Sequence, residues 1–305
     1  MRVTQTLLSD QALTALRDHL ARMAKNQARL ATGRQLLAPS DDPGDHAAAA
    51  RLGARLAATE QFQSQARWAA ELLGATDTTL DGFVTIMGRV QELAVSGANG
   101  ALGAAERAAM AAEVNQLLEE AVDLANAAHA GRYLLGGRET TTAPLTVTRN
   151  AAGDITAATW NPRGVDGSID VDVAETAFVQ ANLGGTAVLG ADADPTFLPA
   201  LLVQLRDGLL ANDQAAVNGL LGGLQTAESR VTTARATAGG RLRGVERVLD
   251  DLDTTKLAAQ TALSAVMDAD IARVAVELSQ QEAVYQAALH AAARAIQPSL
   301  LEFLR

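Results

Sequence analysis

IARVAVELSQQEAVYQAALHAAARAIQPS, Ile271 to Ser299, decides how this fold is read. Ile271, Val274, Leu278, Gln281, Tyr285, Ala288, Ala292, Ala295 and Ser299 alternate spacings of 3 and 4 without a break. That spacing draws one narrow stripe down a helix, the pattern of a helix packed along another helix. The opposite end of the chain carries a matching stripe, Leu13, Leu16, Leu20, Met23, Gln27 and Leu30. Neither stripe can be buried in an isolated helix, and helices of this kind draw most of their stability from a packing partner. The sequence therefore predicts the N-terminal helix lying against the C-terminal one. Several stripe positions hold Ala, Gln or Ser, which let helices approach closely but bury little apolar area. Such a pair is expected to be weak alone and to gain from stacking on neighbouring subunits.

Between the two ends, proline marks the organisation. The seven prolines stand at 39, 43, 144, 162, 195, 199 and 298. Proline removes a backbone donor and clashes with the preceding helical turn, so the long intervals without it permit long helices. Gly33 offers a cap to the first helix. In SDDPGD (40–45) Asp42 is placed as an N-cap, and Pro43 sits at the first helical position, where its missing donor costs nothing. A helix from Ala47 to Gly97 follows, roughly 75 Å long if neither Gly74 nor Gly82 divides it. A third helix is expected from Ala104 to Ala130, stopped by GRYLLGG (131–137). The second arm restarts near Asp194, with Pro195 early in its helix, and a further helix runs from Asp213 towards Asp253.

The middle has another texture. LTVTR (145–149) and ITAATW (155–160) flank NAAGD, a hairpin signal, and SIDVDV (168–173) alternates with Ile169, Val171 and Val173 on one face. The fold class is thus mainly α with a small β-rich insert, a long antiparallel helical bundle or coiled coil formed by the N- and C-terminal arms. The expected domains are a terminal coiled coil (1–42 and 268–305), a long-helix core (43–137 and 200–267) and an exposed β-rich insert (138–199).

Composition narrows the function. There is no cysteine among 305 residues, which removes disulfide scaffolds and thiolate metal sites. Apolar residues make up 48% but aromatics only 3%, and 65 residues are alanine. Charge or amide interrupts every hydrophobic stretch before the roughly 20 residues that a membrane span needs. A formal net charge of −10 disfavours binding to nucleic-acid phosphates. MRVTQTLLSD (1–10) has no long apolar core and no small-residue cleavage site, so no cleavable signal peptide is expected.

No catalytic constellation emerges. His19, His46, His129 and His290 are scattered, without metal-ligand spacing. A proline-led helix start accounts for Asp41, Asp42, Asp45 and His46 without an ion. Arg230, Arg235, Arg241, Arg243 and Arg247 stand beside Glu228, Glu246, Asp250 and Asp251, which reads as a salt-bridged helix face. No cofactor is expected, and the chain reads as non-enzymatic.

Four segments carry a resemblance: LATGRQLLAPSDDPGDHAAAARL (30–52), LLGATDTTLDGFVTIMGRVQELAVSGANGAL (72–102), AEVNQLLEEAVDLANAAHAGRYLLGG (112–137) and DADIARVAVELSQQEAVYQAALHAAARAIQPSLLEFLR (268–305). Together and in this order they resemble the bacterial flagellar axial proteins, the flagellin-like group, and within it the hook-associated protein 3 family of hook–filament junction proteins. GRYLLGG looks like the Gly-Arg-Tyr-Leu-Phe-Gly-Gly segment of that family, with Leu135 in place of Phe. Flagellins usually carry Phe-Asn-Gly there, and flagellin is the alternative. A soluble coiled-coil signalling scaffold is a distant one.

The resemblance implies a structural protein exported unfolded by the flagellar type III system and assembled outside the cell as a junction ring between hook and filament. It implies self-assembly, contacts with hook-associated protein 1 and flagellin, and a cytoplasmic export chaperone, with no membrane insertion. The assembly interface is then expected at Leu13, Leu16, Leu20, Met23, Leu30, Ile271, Val274, Leu278, Tyr285, Ile296, Leu300, Leu301 and Phe303, with Asp42 and Pro43 as the helix-start motif.

Overall fold

The computed structural model describes residues 2–296. In chain order these form α1 (Arg2–Thr32), α2 (Pro43–Gly97), α3 (Ala104–Ala125), β1 (Ala128–His129), β2 (Arg132–Tyr133), β3 (Leu145–Arg149), β4 (Ile155–Trp160), β5 (Asp170–Ala174), β6 (Ala177–Gln180), α4 (Gly185–Leu189), α5 (Leu198–Leu210), α6 (Gln214–Met267) and α7 (Ile271–Ile296). They group into two compact units. One comprises the chain up to Ala58 and from Thr254 onward; the other is Thr59–Asp253.

Helix boundaries follow local chemistry. Gly33 leaves α1 at φ 68°, a left-handed conformation that glycine adopts without strain, and its N–H donates to Arg29 O at 2.8 Å. The Asp42 carboxylate accepts the N–H groups of Gly44 and Asp45 at 2.9 and 3.0 Å, so the Asp42–Pro43 pair starts α2 as its residue types require. Helix α2 then runs for 55 residues through both Gly74 and Gly82. Gly82 is needed for packing: a Cβ there would lie 2.8 Å from Leu124 Cδ1 of α3.

Three boundaries differ from the sequence expectation. Helix α3 ends at Ala125, short of Ala130. The Asn126 side chain takes over, accepting the Leu145 N–H and donating to Leu145 O, both at 3.0 Å. GRYLLGG consequently contributes the second strand of a tight hairpin instead of a simple helix stop, with Ala130 and Gly131 at positive φ between β1 and β2. Helix α5 begins at Leu198 with Pro199 in its first turn, and Pro195 stands before it. Asp194 explains the delay, because its carboxylate accepts both the N–H and the Oγ1–H of Thr196 and closes a separate turn. Helix α6 continues past Asp253 to Met267, since no proline interrupts it.

The Thr59–Asp253 unit has a close-packed interior. Leu80, Phe83, Ile86 and Met87 of α2, Leu118 of α3 and Leu198 and Leu201 of α5 are fully buried. The strand region contributes to the same cluster through Leu145, Ile155, Trp160, Leu189 and Phe197. Strands β3 and β4 pair antiparallel with Leu145 opposite Trp160, as the NAAGD signal predicts. The Trp160 indole N–H donates to Gly190 O at 2.8 Å, and its ring lies 5.7 Å from that of Phe197. In β5 the alternation holds: Val171 and Val173 are buried, in a second cluster with Ala66, Ala69, Leu73, Leu134 and Val245.

Candidate assembly interface

The α1–α7 pair is antiparallel and pinned at its base. The backbone of Arg34 pairs antiparallel with that of Asp268, Gln35 N–H donates to Met267 O, and Ala269 N–H donates to Gly33 O, the two hydrogen bonds both at 2.8 Å. Lys25 meets Asp41 at 2.7 Å. Asp41 also accepts the N–H groups of Leu37 and Ala38 at 3.1 and 3.3 Å. The Lys25 hydrogen bond, reinforced by these amides, lowers the Asp41 carboxyl from its ordinary 3.8 to about 2. Asp270 restarts the chain as α7, accepting the Arg273 N–H at 3.0 Å.

Helix α7 presents its seam as spaced in the sequence. Val274 is 1% exposed, and Leu278, Gln281, Tyr285, Ala288 and Ala292 are half-buried. Ile271 lies outside this seam at 48% exposure. Helix α1 does not follow its leucines. The positions turned inward are Ala12, Leu16, His19, Met23, Asn26 and Leu30, with Asn26 only 4% exposed. Leu13 and Leu20 face outward at 52% and 47%, and Gln27 is exposed with them. The inward stripe is thus rotated from the one read in the sequence, sharing only Leu16, Met23 and Leu30 with it. Its centre is polar: Asn26 Nδ2 donates to Gln281 Oε1 at 3.3 Å.

The rotation leaves apolar side chains uncovered. Leu7, Leu13 and Leu20 on α1, and Ile271, Val276, Val284 and Leu289 on α7, are each between 43% and 58% exposed. Ile296 is the last residue of α7. Leu300, Leu301 and Phe303 lie outside the described residues.

Sequence reading missed two buried guanidinium groups in the other unit. Arg107 is 4% exposed. It donates to Gly97 O at 2.9 Å, to Asn99 O at 2.8 Å and to the Asn212 side chain, so it satisfies orphan carbonyls where α2 ends. Its signal was a basic residue in the first turn of α3, where the macrodipole disfavours one. Arg206, 6% exposed, donates to Asn115 Oδ1 at 3.0 Å and to Ile155 O at 2.7 Å and pairs with Asp207 at 2.7 Å, tying α5 to α3 and β4. Its signal was a charge within the apolar run of α5. The arginine strip on α6 finds acids from elsewhere: Arg230 pairs with Asp194 at 3.0 Å, and Arg235 with Asp77 and Asp81 at 3.5 and 2.5 Å. Arg241 donates to Asn182 O at 2.8 Å, and burial pulls its guanidinium below the ordinary range.

Among the described residues, no three His, Cys, Asp or Glu side chains are placed to share a metal ion. No described helix is long and apolar enough to cross a membrane. Residues 3–140 match the bacterial flagellin N-terminal helical region. That first part of the chain is thus similar to flagellins. The chain is 26% identical over 285 residues to flagellar hook-associated protein 3 of Escherichia coli, covering 88% of this chain and 89% of that protein. The Salmonella typhimurium hook-associated protein 3 is 24% identical, covering 94% of each. The chain is also 22% identical to flagellin of Listeria monocytogenes, over 99% of this chain and 98% of that one. Its fold is shared with solved structures. FlgL of Xanthomonas campestris superposes with a TM-score of 0.61 at 19% identity, covering 70% of this chain and 99% of that one. Flagellar hook associated protein-3 of Legionella pneumophila gives 0.60 at 15%, covering 71% and 98%.

Proposed function

We propose that this chain is a structural subunit of the bacterial flagellum that joins hook to filament as an assembled junction layer. The observation that carries the reading is the outward apolar surface of the α1–α7 pair, where Leu7, Leu13, Leu20, Val276 and Val284 stand about half exposed. Exposed apolar surface concentrated on one element marks an association site. Its occupants are further copies of the same chain and adjoining axial subunits of the flagellin-like kind, among them hook-associated protein 1 and flagellin. Similarity to the hook-associated protein 3 sequences of two species along about nine-tenths of the chain supports the junction over the filament.

In this reading the subunit is non-catalytic and works outside the cell. It is exported unfolded through the flagellar type III channel without a cleavable signal, held beforehand by an export chaperone. Of the expected interface residues, Leu13, Leu20 and Ile271 stand on that outward surface, whereas Leu16, Met23, Leu30, Val274, Leu278 and Tyr285 line the seam between α1 and α7; Ile296, Leu300, Leu301 and Phe303 complete the expected set. A chain lacking cysteine, with its two ends held by marginal helix packing, suits that route. Flagellin is the second reading, favoured by the match to the Listeria protein over nearly the whole chain.

Electron microscopy of cells deleted for the gene separates the two. Bare hooks, with flagellin accumulating in the medium, support the junction role. Loss of the filament protein itself supports flagellin, and intact flagella with altered swimming bias overturn both. Leu278→Asp, which puts a charge on the half-buried seam of α7, is expected to leave the Thr59–Asp253 unit folded and to abolish filament attachment. Filaments of normal length on that mutant would count against the interface.

A further inference from the structure

The chain contains two Asn-Gly pairs, Asn99–Gly100 and Asn218–Gly219. In such a pair the glycine nitrogen can attack the carbonyl carbon of the asparagine side chain, because the glycine has no Cβ to obstruct the approach. The two pairs stand in opposite surroundings. Gly219 lies inside α6, where its N–H belongs to the helical ladder, and Asn218 Nδ2 is tied back to Gln214 O at 3.1 Å. Asn99 and Gly100 are exposed in the turn between α2 and α3, and among the described residues Gly100 N–H has no acceptor.

The turn also places donors on both carbonyl oxygens of Asn99. Oδ1 accepts the Ala101 N–H at 3.1 Å. That bond draws the carboxamide along the turn and offers a donor to the negative charge that Oδ1 develops when its carbon is attacked. Asn99 O belongs to the same peptide unit as Gly100 N. It accepts from Arg107 Nη2 at 2.8 Å and from the Leu102 N–H at 3.3 Å. A cation on that oxygen stabilises the deprotonated peptide and so favours the attacking nitrogen. Arg107 is only 4% exposed, and its acceptors, Gly97 O, Asn99 O and the Asn212 side chain, are all neutral. A buried cation held by neutral oxygens alone still lacks the counter-charge that would offset its desolvation.

We propose that Asn99 is a site of spontaneous deamidation in the folded chain, and that Arg107 directs the product to isoaspartate. Gly100 N gives up its proton and bonds to Asn99 Cγ. The Cγ–Nδ2 bond breaks, Nδ2 leaves as ammonia with that proton, and a five-membered imide closes. Water then adds to one imide carbonyl, the bond from that carbonyl to Gly100 N breaks, and the nitrogen recovers a proton. Opening at the former main-chain carbonyl, the one that Arg107 polarises, leaves Gly100 linked through Cγ. The oxygen already held by Arg107 then belongs to a carboxylate, so the buried guanidinium gains a counter-charge. The main chain between α2 and α3 becomes one methylene longer. The inference concerns the Thr59–Asp253 unit and is independent of the junction role.

The test ages full-length protein at neutral pH, folded or unfolded in guanidinium chloride. Peptides are read by mass spectrometry with fragmentation that separates aspartate from isoaspartate. In the folded chain Asn99 should convert at least as fast as in the unfolded one, and mainly to isoaspartate. Folding should slow Asn218 about tenfold or more, since its reaction awaits a local opening of α6. Gly100→Ala, whose added Cβ would meet only the end of the Gln214 side chain at 3.3 Å, should slow Asn99 about tenfold and leave the tryptophan-fluorescence midpoint in place. Arg107→Gln should slow the conversion and lower the isoaspartate share to that of the unfolded chain. Slower conversion of Asn99 in the folded chain than in the unfolded one overturns the proposal. So does an isoaspartate share left unchanged by Arg107→Gln in protein that fluorescence shows to be folded.

Discussion

The Thr59–Asp253 unit and the α1–α7 pair use the same helical grammar to opposite ends. In the first, Phe83, Leu80, Ile86, Leu118, Phe197 and Leu201 are fully buried, and even the charged Arg107 and Arg206 are enclosed and hydrogen-bonded. In the second, the pairing seam is built from Ala12, His19, Asn26, Gln281 and Ala288 around a few larger side chains, with leucines turned outward. One region is complete in itself. The other leaves larger apolar side chains uncovered, so less of its apolar area contributes to holding it together. Two regions of one chain can thus differ in how fully they bury their apolar side chains although both are built on long helices.

The contrast can be broken experimentally, because both tryptophans, Trp68 and Trp160, belong to the Thr59–Asp253 unit. Tryptophan fluorescence therefore follows that unit, whereas far-ultraviolet circular dichroism follows all helices. Non-coincident transitions are the signature of separate units. Phe83→Ala should have the largest effect, lowering the stability seen by fluorescence by about 3–5 kcal/mol through a cavity in a rigid interior. Proteolytic sensitivity of α1 and α7 should be untouched. A loss under 1 kcal/mol in urea titration would mean that the interior is looser than its burial implies.

Arg206→Met comes next, at about 1–3 kcal/mol, because the Ile155 carbonyl and Asn115 lose their buried donor. The fluorescence midpoint checks it, and an unchanged midpoint would show that solvent replaces the guanidinium.

Smaller again is the pH response of the α1–α2 loop. The Asp41 carboxyl is held at about 2 when folded, below its ordinary 3.8. Its folded form binds protons less readily than the unfolded form, so the stabilisation is complete above about pH 4 and is lost as pH falls towards 2. Asp41→Asn should flatten that part of the circular-dichroism pH profile; an identical slope would assign the acid response to other carboxylates.

The smallest effect on the free chain is expected from Leu20→Ala. With Leu20 47% exposed, the stability change should stay within about 0.5 kcal/mol. The same substitution should impair assembly, read as filaments per cell. A stability loss above 1 kcal/mol without an assembly defect would place Leu20 in the seam and contradict the outward facing.

Much of this was legible from residues alone. The Asp42–Pro43 start, the Gly33 stop, the β3–β4 hairpin and the buried face of β5 depend on local dihedrals and period-two or period-3.6 patterning, which neighbours in sequence control. The seam of α7 was equally plain, since its regular apolar spacing offers a single best face. The end of α3 was not, because Asn126 stops it by bonding Leu145, a partner brought close only by folding. The acids that pair with Arg230 and Arg235 were likewise invisible, lying on α2 and before α5.

Helix α1 marks the boundary between the two kinds of knowledge. Its sequence determined a helix carrying two overlapping heptads and a place opposite the chain's other end. Which heptad turns inward was visible only in three dimensions, where Asn26 meets Gln281 across the pair. The physical reason is that periodicity specifies a stripe to within a fraction of a turn, whereas choosing between stripes one residue apart depends on the polar groups of the partner helix.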